Sequence, residues 1–199
     1  NDSLNWVLRQ SRSEPLVAHY RVNAGFLPAN HWLHDPDQGG GRIIGEGCHF
    51  IDFLTFLTGA LPTSVAGQAL PDRGVYHGDN VVMTFTYPDG SIGTVTYLAN
   101  GDKSVAKEEI EVFCEGKTAR LHDFRQLELI ANGNKTISRS SDQDKGHRNA
   151  WRNFLERVEN GGKPPIPYRD IWGVHLATFA AEESIALGKR VDLNFKGDD

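Results

Sequence analysis

Apolar and polar residues alternate over residues 16–23 (LVAHYRVN), the two-residue period of a strand. The period is lost over 24–41, a stretch of Gly, Pro, Asp and His that ends in Gly39-Gly40-Gly41 and reads as a loop. Over 42–58 the apolar positions Ile44, Cys48, Ile51 and Leu54 follow helical spacing, with Gly59 and Pro62 as stop signals. Alternation returns at 79–87 and 91–98, which flank the hairpin signal Pro88-Asp89-Gly90. It continues through 107–115, 117–122 and 125–131, broken at Glu115-Gly116-Lys117 and Ala131-Asn132-Gly133-Asn134, with a short strand expected at 135–139. Two helices close the chain. Residues 147–160 align Trp151, Phe154, Leu155 and Val158, and residues 168–188 align Ile171, Val174, Thr178 and Ala181 before Gly188. Strands that follow one another without intervening helices predict an α+β class: an open, mostly antiparallel sheet with helices on one face.

Composition narrows the functions open to such a domain. The 199 residues carry 21 Lys and Arg against 26 Asp and Glu, a formal net charge of -5. No basic block is present, so phosphate neutralisation and hence nucleic-acid binding are not expected. No apolar run nears the roughly 18 residues that span a bilayer, and no signal segment precedes residue 15, so no membrane partner is expected. Two cysteines, Cys48 and Cys114, cannot build a disulfide framework; they are expected as small buried apolar side chains in a cytoplasmic protein. The glycosylation patterns at Asn1 and Asn134 are read as chance. The chain opens Asn1-Asp2-Ser3 and its one Met is Met83, which suggests a piece of a longer protein. Residues 1–14 are expected as a leader or linker and 15–193 as one domain.

No G-x-G-x-x-G turn occurs, nor a P-loop, a G-x-S-x-G elbow, an H-E-x-x-H or zinc-finger spacing. Chemistry concentrates instead between residues 19 and 52, in His19, Asn23, His31, Trp32, His34, Asp35, Arg42, Glu46, His49 and Asp52. Glu46, His49 and Asp52 stand three residues apart in turn, so a helix would flank an imidazole with two carboxylates, an arrangement suited to a general acid/base. The same spacing also fits a surface salt bridge. His31-x-x-His34-Asp35, with His49 or Glu46, could supply a loose set of metal ligands. Trp151, Phe154, Trp172 and His175 read as packing between the last two helices, and Lys163-Pro164-Pro165 as a helix-ending loop.

The run Tyr20-Arg21-Val22-Asn23-Ala24-Gly25, then His31-Trp32, then Gly39 to Asp52 (GGGRIIGEGCHFID) resembles the C-terminal domain of the Gfo/Idh/MocA oxidoreductases, the glucose–fructose oxidoreductase and inositol dehydrogenase relatives. The resemblance extends over residues 15–193. It implies a dihydrodipicolinate-reductase-like α+β domain that walls a substrate site and forms an oligomer through its sheet. It also implies a separate N-terminal Rossmann domain, absent from this chain, that binds NAD or NADP and supplies a lysine. The reaction implied is hydride transfer on a sugar, cyclitol or nucleotide sugar. His49 matches the family's catalytic histidine, with Glu46 or Asp52 orienting it, while Asn23, His31, Trp32, Asp35 and Arg42 would line the substrate pocket. One departure stands out: many members carry an Asp four residues before the histidine, where this chain has Gly45.

The sequence thus supports a catalytic substrate domain that is inactive alone. A non-catalytic ligand-binding or assembly module is the alternative, and a metal enzyme using His31, His34 and His49 a third reading. Apolar residues at 81, 83, 85 and 87 and at 92, 95 and 97 suggest burial of both faces of the hairpin and a homo-oligomer.

Overall fold

A computed structural model describes residues 13–195. The expected leader at 1–14 therefore lies almost wholly outside the described residues, as does the Asn1 pattern. Among the described residues nine strands form one open sheet in the order β8-β7-β6-β5-β1-β4-β3-β2-β9. In chain order they are β1 (Val17–Asn23), β2 (Ser64–Ala69), β3 (Val81–Thr86), β4 (Ile92–Leu98), β5 (Glu108–Cys114), β6 (Lys117–His122), β7 (Gln126–Ala131), β8 (Asn134–Arg139) and β9 (Val191–Asp192). Every pairing is antiparallel except β1 with β4, where Val17 aligns with Ile92 and Asn23 with Leu98. The α+β class with a mostly antiparallel sheet is therefore the observed one.

Alternation fixes which side of the sheet is buried, because successive side chains point to opposite faces. Ala18, Tyr20, Val22, Val81, Met83, Phe85, Val95 and Tyr97 all face one core. Two helices cover it: α1 (Cys48–Thr58) and α3 (Tyr168–Leu187). The first buries Phe50, Ile51, Leu54 and Leu57 and ends at Gly59, whose φ of 74° satisfies the left-handed C-cap. The second lies close over β2. A Cβ on Gly67 would sit 2.7 Å from Ile185 Cγ1, so only glycine permits that approach. Fully buried Ser184 fastens the contact, its Oγ accepting from Gly67 N–H (2.8 Å) and donating to the Lys189 carbonyl (2.6 Å).

Four features differ from the sequence reading. The helix expected at 42–58 begins as a π-helical turn, Ile43–Gly47, before α1 proper. Positions 81, 83, 85, 95 and 97 share one buried side, and the opposite face is mainly threonine and charge with Val17, Val82, Ile92 and Phe113 among them. Helix α2 (His147–Asn160) carries its apolar stripe as the spacing predicts, but no residue of it is buried. Trp151 is 66% and Trp172 65% exposed, so these side chains are not a core between the last two helices. Cys48 and Cys114 form no disulfide, and both are half-buried rather than buried.

Candidate functional site

The loop between β1 and the π turn shapes itself with its own polar side chains. His31 Nδ1 accepts from the Leu33 N–H (3.2 Å) and so caps a short turn over Trp32–His34. The Asp35 carboxylate accepts from Asp37 N–H (2.9 Å) and Gln38 Nε2 (2.7 Å), an Asx turn that opens the glycine run. At the end of β1, Asn23 Nδ2 donates to the carbonyls of Asp102 (2.8 Å) and Val105 (3.2 Å), pinning the β4–β5 loop. Trp32 is 58% exposed. Of these four residues expected to line a pocket, three hold loops and none lines the groove that contains His49.

The π turn then separates two neighbouring residues. Gly45 is exposed, and a Cβ there would meet the terminal methyl of Leu33, Cδ1, at 2.4 Å, a contact that a turn of the leucine relieves. Glu46 turns toward the sheet. It accepts from the Tyr97 hydroxyl and lies 3.6 Å from Arg42 Nη2. Burial first, and then the Glu46 carboxylate, push the Tyr97 hydroxyl far above its ordinary range. Arg42, 4% exposed, donates from Nη1 to the Gly25 carbonyl (2.7 Å), lies 3.8 Å from Asp79 Oδ2, and stands 5.0 Å from the centre of the Tyr97 ring. Glu46 and Arg42 are thus partners in a buried network, and neither lines the groove beside His49.

His49 is exposed and lines a groove of about 400 Å³. Asp52, Phe53 and Phe56 share its helix face at i+3, i+4 and i+7. Pro165, Ile166 and Pro167 form the opposite wall, and Asp170, in the first turn of α3, completes the polar end. Burial raises the Asp52 carboxyl above the usual range, the negative Asp170 raises it further, and His49 partly offsets both. The imidazole therefore shares its groove with two carboxylates, but the second is Asp170 and not Glu46. Sequence reasoning missed Asp170. Its only signal was a position just after Pro165-Ile166-Pro167, a segment treated as a helix-ending loop.

The two carboxylates can balance a positive charge on the imidazole, which suits a proton acceptor beside an amphipathic ligand space. It does not gather a metal site. His34 Nε2 lies 3.6 Å from Asp79 Oδ2, while His31 caps its own turn and His49 lines the groove. Among the described residues no three His, Cys, Asp or Glu side chains group closely enough to hold a metal ion. Nor do the described residues offer a dinucleotide site. The single parallel pair, β1 with β4, has α1, β2 and β3 inserted between its strands, so no glycine turn runs from strand to helix within a βαβ unit. No helix among the described residues is long and apolar enough to cross a membrane.

The fold is shared with solved oxidoreductases. An oxidoreductase from Agrobacterium radiobacter, in complex with NAD+, L-tartaric acid and magnesium, superposes with a TM-score of 0.72 at 18% identity, covering 96% of this chain and 60% of that one. The aldose-aldose oxidoreductase of Caulobacter crescentus, complexed with glycerol, gives 0.73 at 16% identity, covering 95% and 57%. The WlbA dehydrogenase of Bordetella pertussis, in complex with NADH and UDP-GlcNAcA, gives 0.71 at 17% identity, covering 98% and 61%. The chain thus spans less than two thirds of each of these structures. No curated protein matches it significantly. The sequence model of the GFO/IDH/MocA C-terminal domain matches residues 13–120, more than half of the chain. On that match, and on the α+β architecture it shares with solved oxidoreductases, the chain belongs to the GFO/IDH/MocA family as a C-terminal domain.

Proposed function

We propose that this chain is the substrate-binding and oligomerisation domain, over residues 15–193, of an NAD(P)-dependent oxidoreductase acting on a sugar, cyclitol or nucleotide sugar. The observation that carries the reading is the groove that an accessible His49 lines together with Asp52 and Asp170. The ligands of the solved neighbours, UDP-GlcNAcA in one and glycerol in another, support a polyhydroxylated substrate. His49 accepts the proton released when a substrate hydroxyl becomes a carbonyl. The negative charges of Asp52 and Asp170 balance the positive charge the imidazole gains. Phe53, Phe56 and Ile166 supply the apolar surface of the groove. The nicotinamide is held by a part of the complete protein outside these residues, and a second copy of the chain covers the open sheet face. The protein works in the cytoplasm, which suits two cysteines that form no disulfide.

Mixing the 199-residue chain with NAD+ or NADP+ tests this division of labour. We expect neither reduction of the nucleotide nor micromolar binding, and either one would overturn it. A non-catalytic module is favoured by one specific observation: position 45, four residues before His49, is a glycine and carries no acid. In that reading the complete protein binds the same ligands and turns none of them over.

A further inference from the structure

Helix α2 buries none of its 14 residues. Trp151, Phe154, Leu155 and Val158 stand at i, i+3, i+4 and i+7 on one face, each at least half exposed. A helix of that length is marginal in water by itself and is held by packing of its apolar face. Trp151 and Phe154 already meet edge to face, with ring centres 6.0 Å apart, so the stripe is shaped before anything covers it. Helix α3 repeats the pattern. Its inner side buries Val174, Ala177, Thr178 and Ala181, while Tyr168, Trp172 and Phe179 lie on its outer side, again at least half exposed.

Position decides what covers these faces. Pro165, Ile166 and Pro167, which wall the His49 groove, belong to the segment that joins α2 to α3, so both helices run from the rim of that groove. With His49 as the proton acceptor, the reading on which this proposal rests, the hydride leaves the same carbon whose hydroxyl gives up its proton. The nicotinamide that takes the hydride must therefore touch the substrate in the groove. Whatever carries the nicotinamide stands against the groove's edge, beside α2 and α3. The solved neighbours have the length for it: this chain covers 57–61% of each, which leaves about two fifths of those chains for a further domain. The sheet face proposed for a second copy lies on the side away from α1 and α3, so that copy leaves this surface free. Aromatic side chains and Arg are enriched in protein contacts, and by helical spacing Arg148 and Arg152 run along one edge of the α2 stripe.

We propose that α2 and the outer side of α3 form the docking surface for the nicotinamide-binding domain of the complete protein, with Trp151 and Trp172 as its anchors. The exposed stripes are then covered in the complete protein, and the same contact sets the nicotinamide at the mouth of the His49 groove.

Hydrogen exchange read by mass spectrometry tests this. Amides of residues 151–158 should exchange at least about tenfold more slowly in the complete protein than in the 199-residue chain. Trp151→Ser should remove most of that protection, yet change binding of NAD+ or NADP+ to the complete protein by less than about twofold. The same substitution should leave the melting midpoint of the 199-residue chain where it is, because Trp151 is largely exposed there. Photo-cross-linking from Trp172→p-benzoylphenylalanine, in a mixture of isotope-labelled and unlabelled complete protein, identifies the occupant. The expected product joins position 172 to a residue outside this 199-residue stretch, within one polypeptide. Equal exchange in the two forms, or a product that joins residues of this domain in two copies, would overturn the proposal. Nucleotide binding by a complete protein whose α2 is unprotected would overturn the docking and leave the oxidoreductase reading standing. Protection of α2 in a protein that binds neither NAD+ nor NADP+ would overturn both.

Discussion

Gly45 and Glu46 are adjacent, yet the π turn gives them opposite surroundings, and the site depends on the difference. Gly45 is exposed, and the Leu33 Cδ1 methyl beside it can turn aside. Gly45→Asp should therefore change stability by less than about 1 kcal/mol, and a denaturant melt reads this directly. Asp52 offers a second check. Its folded-state pKa is raised above the ordinary 3.8, chiefly by burial and then by Asp170. The folded protein thus holds a proton there that the unfolded chain has already released, and the carboxyl's contribution becomes unfavourable as pH rises through the window above 3.8. Asp52→Asn should melt higher than the parent at neutral pH, with the gap closing below that window. Asp170→Asn should reproduce part of the gain by removing the repulsion. At this scale the sequence was half legible. The three-residue spacing of His49 and Asp52 on a helix puts them together by geometry alone. Spacing also suggested Glu46, but a π turn is invisible to a 3.6-residue period, and it rotates Glu46 toward Tyr97. Asp170 joins the site only through packing of α3 along α1, which no local pattern encodes.

Elements were read more securely than their partners. The hairpin, the strand run and both closing helices lie where their periods place them, because a two- or 3.6-residue period is a property of the segment itself. Two elements escaped. β2 (Ser64–Ala69) is small and contains Gly67, so its alternation is faint, and β9 is only two residues long. The apolar stripe on α2 was legible, but a stripe says only that a face is apolar and not what covers it. Ser184 shows how strongly two elements can depend on one side chain. Ser184→Ala leaves the Gly67 N–H and the Lys189 carbonyl without a partner in a buried contact. We expect a loss of about 1–3 kcal/mol, read as a lower denaturation midpoint with an unchanged slope. An unchanged midpoint would mean that α3 is held over β2 by apolar packing alone.

Across the whole molecule, the sheet is covered on one side by α1 and α3 and open on the other. The open side carries a ladder of ion pairs, Arg120 with Glu111 at 2.7 Å and Lys135 with Glu128 at 2.7 Å. Val17, Val82, Ile92 and Phe113 sit among its threonines, each more than a third exposed. A broad face of that mixed character suits a second copy of the chain. Sedimentation at micromolar concentration should show a dimer or larger species, and a monomer would contradict this. The most direct test of the account concerns His49 itself. Turnover of the complete protein, with NAD(P)+ and its polyol or sugar substrate, should be compared between the parent and His49→Gln. The account predicts a fall in kcat of about 10²–10⁴, the usual contribution of a positioned general base, with the fold intact. An unchanged kcat in a folded His49→Gln enzyme would contradict it.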